Sequence, residues 1–279
     1  MAEIGTGEVV VDGIRSPLVQ AGPGEAGEAA VFLHGNPGSS RDWEDLIART
    51  GEVGRAVAFD MPGFGQSQAP RSFDFSPEGY ARFIDAALAQ LGVQRAHFVV
   101  HDVGGIFTWP LALEHPGLIG SVVAMNTGLL DGRRWHRVAR MWRRPLLGEL
   151  VQLLTTRKRF EDGLTADGAM PLPEAFLERM WRDYDRATRR TVLKLYRTMD
   201  PPYPASDSWK GALASLDPPA LIVWGERDRF VPPKAIERIK TALPGAQVVV
   251  LPGSGHFPFA DDPEGTAGAI VPFLRSRLG

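Results

Sequence analysis

Short apolar runs recur along the chain and alternate with polar or amphipathic stretches. Runs of this length, bounded by glycine, proline and charged residues, are typical of buried β-strands. We predict strands at residues 7–11, 29–34, 55–60, 96–101, 121–126, 221–225 and 248–251. Alternation of such strands with helices predicts the α/β class, with a mostly parallel, doubly wound sheet.

The stretch after residue 75 has the pattern of an amphipathic helix. Ser76 is a typical N-cap, Pro77 suits the first helical position, and Gly92 suits the C-terminal end. Apolar residues recur between them at spacings of three and four: Tyr80, Phe83, Ile84, Ala87, Leu88 and Leu91. We predict a second helix after the strand at 96–101, which contains Ile106, Trp109 and Leu113.

The strand–helix alternation stops near residue 129 and resumes near residue 220. The intervening segment has helical spacing, is rich in Arg, Trp and Leu, and shows no strand pattern. We therefore predict an α/β core at 1–128, an inserted helical cap at 129–206, and the rest of the core at 207–279. A cap over the edge of a sheet excludes water and shapes a substrate pocket.

The segment around Asp102 has the pattern of a nucleophile elbow. An apolar strand ends at His101, Asp102 follows at the apex of a turn, and Gly104 and Gly105 allow the next helix to pass close to the strand. A carboxylate at this apex suits attack on an sp³ carbon, which leaves an alkyl–enzyme ester that water must cleave. A helix-capping aspartate is the alternative interpretation.

Two further residues complete a candidate catalytic set. Asp228 follows the strand at 221–225, and His256 follows the strand at 248–251 and a glycine turn. The carboxyl ends of parallel strands meet at one edge of the sheet, so these side chains are expected near Asp102. His256 would be the general base for water, and Asp228 would orient its imidazole.

An early strand also runs into a turn, at His34-Gly35-Asn36-Pro37-Gly38. A loop in this position supplies one oxyanion-hole amide, and the residue after the nucleophile supplies the other. We expect these to be the amides of Asn36 and Val103. The sequence leaves open whether the peptide bond before Pro37 is cis.

Five motifs of the chain resemble those of the α/β-hydrolase superfamily: His-Gly-Asn-Pro at 34–37, Asp-Met-Pro-Gly-Phe-Gly at 60–65, His-Asp-Val-Gly-Gly at 101–105, Trp-Gly-Glu-Arg-Asp at 224–228 and Gly-His-Phe-Pro-Phe at 255–259. The chain order of nucleophile, acid and base is also that of the superfamily. More narrowly, the motifs resemble the Asp-nucleophile branch, which contains haloalkane dehalogenases and epoxide hydrolases. The resemblance covers the chain from about residue 25 onward, but the predicted cap matches only loosely.

The resemblance implies two reactions that differ in how the leaving group is stabilised. In epoxide hydrolases, tyrosine hydroxyls of the cap donate to the opening ring. Tyr196 lies in a similar segment, and His136 is the substitute for a second tyrosine. Haloalkane dehalogenases typically hold the halide with a Trp directly after the nucleophile, where this chain has Val103. Asn36 matches the dehalogenase motif, and Trp135 or Trp142 would then have to compensate.

We therefore predict an Asp-nucleophile hydrolase, with epoxide hydrolysis to a diol favoured over halide displacement. A non-hydrolytic catalyst or a ligand-binding protein on the same fold is the further alternative. We expect Trp135, Trp142 and Phe257 to line the substrate pocket. The expected partners are a small organic substrate and water, with no cofactor and no metal.

Composition narrows the remaining possibilities. The 279 residues carry a formal charge of −2 and contain no cysteine, which argues against a general nucleic-acid binder and excludes thiol chemistry. No signal peptide or apolar run of membrane-spanning length is evident, so we expect a cytoplasmic protein without a membrane partner.

Residues 133–159 contain nine basic residues and one glutamate. A solvated helical face is the favoured interpretation of this segment, and an anionic substrate or partner is the alternative. The oligomeric state stays open.

Overall fold

The computed structural model describes residues 1–24, 27–131, 135–165, 168–200 and 202–278. These residues form one eight-stranded sheet in the order β1-β2-β4-β3-β5-β6-β7-β8. The strands are β1 (Gly5–Val11), β2 (Ile14–Ala21), β3 (Glu28–Leu33), β4 (Ala56–Phe59), β5 (Arg95–His101), β6 (Ile119–Met125), β7 (Ala220–Gly225) and β8 (Gln247–Leu251). All neighbouring pairs from β4 to β8 are parallel. The predicted fold class is confirmed.

The first two strands form an antiparallel hairpin, and β2 also pairs antiparallel with β4. The sequence analysis did not predict β2, which contains Pro17 and lacks a continuous apolar run. The turn before it is Asp12-Gly13, and both residues have positive φ. Asp-Gly between two extended segments is a strong hairpin pattern, so a usable sequence feature was present.

The helices cover both faces of the sheet. They are α1 (Glu44–Thr50), α2 (Pro77–Gln90), α3 (Val103–Thr108), α4 (Leu111–Glu114), α5 (Arg137–Trp142), α6 (Leu147–Leu153), α7 (Arg157–Leu164), α8 (Glu174–Asp183), α9 (Arg186–Thr198), α10 (Ser206–Leu216), α11 (Ile236–Ala242), α12 (Pro258–Asp261) and α13 (Pro263–Arg275). Helix α2 begins as predicted, since Ser76 Oγ accepts a hydrogen bond from the Gly79 amide over 3.0 Å. None of the helices within the described ranges is long and apolar enough to cross a membrane.

The single helix predicted over Ile106, Trp109 and Leu113 is wrong. Helix α3 ends at Thr108, and α4 begins at Leu111. Pro110 lies between them and has no amide hydrogen to continue the helical ladder. Leu113 is consequently half exposed instead of lying on a buried face.

Helices α5 to α9 lie between β6 and β7 in the chain. Helix α5 packs against α6 and α9, and α7 packs against α8. One contact between this segment and the rest of the protein is an ion pair between Arg179 of α8 and the buried Asp42, at 2.7 Å. From the positions of these helices, we propose that the chain divides into core and cap near residues 129 and 206. Arg133 and Arg134 of the basic segment lie outside the described residues.

Candidate active site

Asp102 sits at a strained turn between β5 and α3. Its backbone has φ 49° and ψ −125°, a conformation that non-glycine residues rarely adopt. A Cβ on Gly104 would lie 2.5 Å from the carbonyl oxygen of Leu33, and a Cβ on Gly35 would lie 2.5 Å from Cβ of Asp102. The two glycines therefore permit a close approach of β3, β5 and α3 around the aspartate.

The Asp102 carboxylate does not act as a helix cap, although Asp102 occupies the N-cap position of α3. The Asn36 amide donates to its Oδ2 over 3.0 Å, and the Val103 amide also donates to the carboxylate. Burial raises the pKa of Asp102, while His256 and the two amides oppose that rise. The Asp102 carboxylate is therefore fixed in position by the loop after β3 and by the first amide of α3.

His256 and Asp228 form a buried pair. Nδ1 of His256 lies 2.8 Å from Oδ2 of Asp228, and both side chains are almost fully buried. The other oxygen of Asp228 accepts from the amides of Phe230 and Val231, at 2.7 and 2.9 Å. A carboxylate held in this way orients the imidazole, so that Nε2 is the nitrogen that can take a proton.

Asn126 is a site residue that the sequence analysis missed. It directly follows β6, has a left-handed φ of 43°, and donates through Nδ2 to Oδ2 of Asp228 over 2.7 Å. Its Oδ1 accepts from the Gly225 amide over 3.2 Å. Its place in the sequence was the signal that could have identified it, because a polar residue directly after a parallel strand lies at the same edge as Asp102 and Asp228.

His101 forms a hydrogen bond with the loop that contains His256. Its Nε2 lies 2.7 Å from the carbonyl oxygen of His256, and the ring is buried. Burial holds the pKa of His101 well below its usual value, and the nearby His256 lowers it further. His101 is therefore neutral, and its ring proton is on the nitrogen that donates to this carbonyl.

A cavity of about 240 Å³ lies between the sheet edge and the helices that follow β6. Asp102 and His256 line it from the sheet side, and its other walls are mostly apolar. Tyr196 of α9 also lines the cavity, and its hydroxyl accepts from Nδ2 of Asn36 over 3.4 Å. The Asp102 carboxylate, the His256 imidazole and the Tyr196 phenol therefore line one cavity.

The other predicted pocket residues also line the cavity, and they differ in their hydrogen bonding. Nδ1 of His136 accepts from the Ala139 amide over 3.3 Å, which in a neutral ring leaves the proton on Nε2. The indole N–H of Trp135 donates to the carbonyl of Met199 over 3.0 Å. The indole N–H of Trp142 is buried without a hydrogen-bond partner among the described residues.

The structure thus brings most of the predicted site residues to one cavity. Those that line it are Asn36, Asp102, Trp135, His136, Trp142, Tyr196, His256 and Phe257. Val103 reaches the site through its amide, and Asp228 lies behind His256. Within the described ranges, no group of three or more His, Asp or Glu side chains has a geometry that could hold a metal ion.

A family model of the alpha/beta hydrolase fold matches residues 30–263, a span that contains Asp102, Asp228 and His256. The chain belongs to the α/β-hydrolase family. The superfamily resemblance found in the sequence is therefore confirmed, and the protein is an enzyme of this family. The match includes the segment between β6 and β7.

Two relatives of this α/β-hydrolase carry names that state an activity. The chain is 28% identical to a cis-3-alkyl-4-alkyloxetan-2-one decarboxylase of Xanthomonas campestris, with 95% of this chain and 93% of the relative covered. It is 26% identical to a 2-hydroxy-6-oxononadienedioate/2-hydroxy-6-oxononatrienedioate hydrolase of Burkholderia vietnamiensis, with 96% and 94% covered.

Solved structures of both families named in the sequence analysis share the fold. An epoxide hydrolase of Vigna radiata has a TM-score of 0.79 and 22% identity, with 98% of each chain covered. A haloalkane dehalogenase of Bradyrhizobium elkanii has a TM-score of 0.81 and 23% identity, with 98% of this chain and all of that chain covered. The two likenesses are equally good, so the site has to decide between the chemistries.

Proposed function

We propose that this α/β-hydrolase opens an epoxide through an ester on Asp102 and hydrolyses that ester to release a diol. The observation that carries the proposal is the placement of the Asp102 carboxylate and the Tyr196 hydroxyl on one cavity, with Asn36 in contact with both. A nucleophile and a neutral acid that line the same cavity suit the opening of a strained C–O bond.

In the first step, a carboxylate oxygen of Asp102 attacks a ring carbon of the epoxide from the side opposite the C–O bond. That bond breaks, and its electron pair stays on the ring oxygen. The Tyr196 phenol donates a proton to this oxygen, and the Nε2–H of His136 is a further donor on the cavity wall. The products of this step are a hydroxyalkyl ester of Asp102 and a phenolate.

In the second step, water cleaves the ester. Nε2 of His256 takes a proton from water, and the hydroxide attacks the carbonyl carbon of the Asp102 ester. The amides of Asn36 and Val103 already donate to this carboxyl group, and they stabilise the negative charge that develops on its oxygen. Collapse of the intermediate releases the diol as an alkoxide. The imidazolium protonates this alkoxide, and the proton of the Asp102 carboxylic acid that remains passes through solvent to the phenolate, which restores the starting state of all three groups.

Halide displacement is less well supported by the same residues. Val103 has no side-chain donor, and the indole N–H of Trp135 already binds the carbonyl of Met199. Two features favour this alternative: Asn36 matches the dehalogenase motif, and the indole N–H of Trp142 is buried beside the cavity without a partner among the described residues. Removal of one preorganised donor typically costs about 3–4 kcal/mol of transition-state stabilisation.

A relative also supports a strained oxygen ring as the electrophile. The Xanthomonas campestris relative is named for an alkyl-substituted oxetan-2-one, which is a four-membered cyclic ester. Its ring contains a strained bond between oxygen and an sp³ carbon, as an epoxide does. Non-hydrolytic opening of such a ring is therefore the second candidate function, and its products contain no diol.

The deciding experiment is a panel of alkyl- and aryl-substituted epoxides, 1-haloalkanes and disubstituted oxetan-2-ones. Diol formation, halide release and CO₂ release are measured for each compound, with Asp102→Asn as the matched inactive control. We expect diol formation from at least one epoxide class that is absent in the control. Halide release without diol formation from any epoxide, or CO₂ release alone, would replace the proposal with the corresponding alternative.

A further inference from the structure

Helix α6 is oriented with its apolar side toward solvent. Leu150, Leu153 and Leu154 follow the spacing i, i+3 and i+4, which places them on one side of the helix, and Leu146 is the N-cap residue directly before it. All four are exposed; Leu146 has 84% of its surface accessible and Leu153 78%. The buried positions of the same helix are Gly148 and the polar Gln152.

This orientation is held by specific contacts. Oε1 of Gln152 accepts from the hydroxyl of Tyr184 over 2.8 Å, and the backbone carbonyl of Gln152 accepts from Arg189 over 2.6 Å. A Cβ on Gly148 would lie 2.5 Å from the carbonyl oxygen of Trp142, so only glycine allows this close packing. Rotation of α6 to bury its leucines would break these contacts. The leucines are therefore left for a partner outside this chain.

The surroundings of these leucines are strongly basic. Residues 133–159 contain nine basic residues and one glutamate, whereas the rest of the chain contains 22 basic and 32 acidic residues. Arg137, Arg140 and Arg144 are exposed and form no ion pair with any residue that the structure describes. The one acid of the segment, Glu149, is neutralised by a bidentate contact with Arg197 at 2.9 Å.

The mouth of the cavity lies beside the same surface. Of the residues that line the cavity, Val138 of α5 and Arg159 of α7 are the exposed ones. Helix α6 lies between α5 and α7 in the chain, and it contributes Val151 to the cavity wall. A partner that covers the leucines would therefore stand next to the entrance.

We propose that this leucine–arginine face, formed by Val138, Leu146, Leu150, Leu153, Leu154, Arg137, Arg140 and Arg144, docks the protein on an anionic phospholipid surface. Apolar side chains that enter the headgroup boundary, ringed by arginines that attract acidic lipids, are the pattern of interfacial helices. A second copy of the chain fits less well, because a symmetric contact would bring the same arginines together.

This proposal changes the expectation that the protein has no membrane partner. That expectation was based on the lack of an apolar run of spanning length, and a peripheral contact needs none. The docking is independent of the reaction at Asp102. Where both proposals hold, an apolar substrate dissolved in the bilayer reaches the cavity mouth without crossing bulk water.

The test is co-sedimentation with vesicles of phosphatidylcholine alone and of phosphatidylcholine with phosphatidylglycerol. We expect the wild type to bind only the anionic vesicles, and added salt to weaken the binding. Each basic residue near an anionic surface contributes about fivefold to partitioning. Arg140→Gln/Arg144→Gln should therefore lower partitioning by roughly thirtyfold, and Leu146→Ser/Leu153→Ser by roughly tenfold or more.

Two matched control variants change exposed residues of the predicted core. Arg71→Gln/Arg275→Gln makes the same change of net charge, and Leu113→Ser removes an equally large exposed side chain; both should bind as the wild type does. All variants change exposed residues outside the catalytic set, so circular dichroism should show an unchanged fold. Absence of wild-type binding to anionic vesicles would overturn the proposal. So would equal losses in face and control variants, or a wild-type dimer in solution that Leu146→Ser/Leu153→Ser converts to a monomer.

Discussion

The backbone amide of Asn36 lies 3.0 Å from Oδ2 of Asp102, although the two residues are 66 positions apart in the chain. The contact joins the loop after β3 to the elbow after β5, which are neighbouring strands of the sheet. It positions the carboxylate before any substrate arrives, and it is also the contact that would stabilise the oxyanion during ester hydrolysis. The predictions below depend on this arrangement.

Asp102 should become alkylated during turnover. After brief mixing with a reactive epoxide, mass spectrometry should find the adduct on the peptide that contains Asp102. His256→Gln should accumulate this adduct, because it removes the base that activates water. In a single turnover in ¹⁸O-labelled water, the label should enter the Asp102 carboxyl group and not the diol. An adduct on another peptide, or label in the first diol formed, contradicts the ester mechanism.

The Tyr196 hydroxyl should be needed for ring opening. Tyr196→Phe should lower kcat/KM for epoxides by roughly a hundredfold or more, because the developing alkoxide loses its donor. Tyr184→Phe is the matched control: Tyr184 lines the same cavity, but its hydroxyl binds Gln152. We expect the control to change kcat/KM by much less. Equal effects in the two variants would remove Tyr196 from the mechanism and move attention to His136 as the donor.

Asp228 should act through the orientation of His256. Asp228→Asn should lower kcat by about four orders of magnitude, because an amide stabilises the wrong tautomer of the imidazole. EDTA should leave the wild-type rate unchanged, since none of the proposed steps uses a metal ion. The adduct on Asp102 should still form in Asp228→Asn, because alkylation does not require the base. A variant with normal turnover, or an enzyme inhibited by chelators, would contradict this role.

His101 should make the protein less stable in mild acid. The native state keeps His101 neutral, with its pKa well below 6.5, so below about pH 6.5 the unfolded chain binds a proton that the native state does not. The free energy of unfolding is therefore undiminished above that pH and falls as the pH decreases. One such group should remove on the order of 1 kcal/mol between pH 7.5 and pH 5.5.

Urea denaturation at the two pH values measures this loss. His101→Gln keeps a donor for the carbonyl of His256 but does not titrate in this range. Between pH 7.5 and pH 5.5, its free energy of unfolding should therefore fall less than that of the wild type. The difference between the two falls should be on the order of 1 kcal/mol. The contribution of His97, whose pKa is also lowered by burial, stays in both proteins. An identical decline in the two proteins would show that His101 is not the group responsible.

The sequence by itself determined the fold class and the three residues at the candidate chemical centre. Asp102, Asp228 and His256 each follow an apolar run, and the ends of parallel strands meet at one edge whatever the details of packing. The sequence was enough to predict these three positions, because strand length, turn residues and chain order can all be read directly from it. Strand β2 was not predicted, because Pro17 interrupts its apolar pattern.

Only the tertiary structure decided which donors face the cavity. Trp135 and Trp142 look alike in the sequence, but one indole N–H binds Met199 and the other has no partner among the described residues. Asn126 and His101 acquire their roles from contacts with residues more than a hundred positions away. The leucines of α6 have the spacing of an ordinary buried stripe, and the contacts of Gln152 and Gly148 turn that stripe outward. Helical spacing specifies which residues share a face, whereas packing against the rest of the chain specifies where that face points.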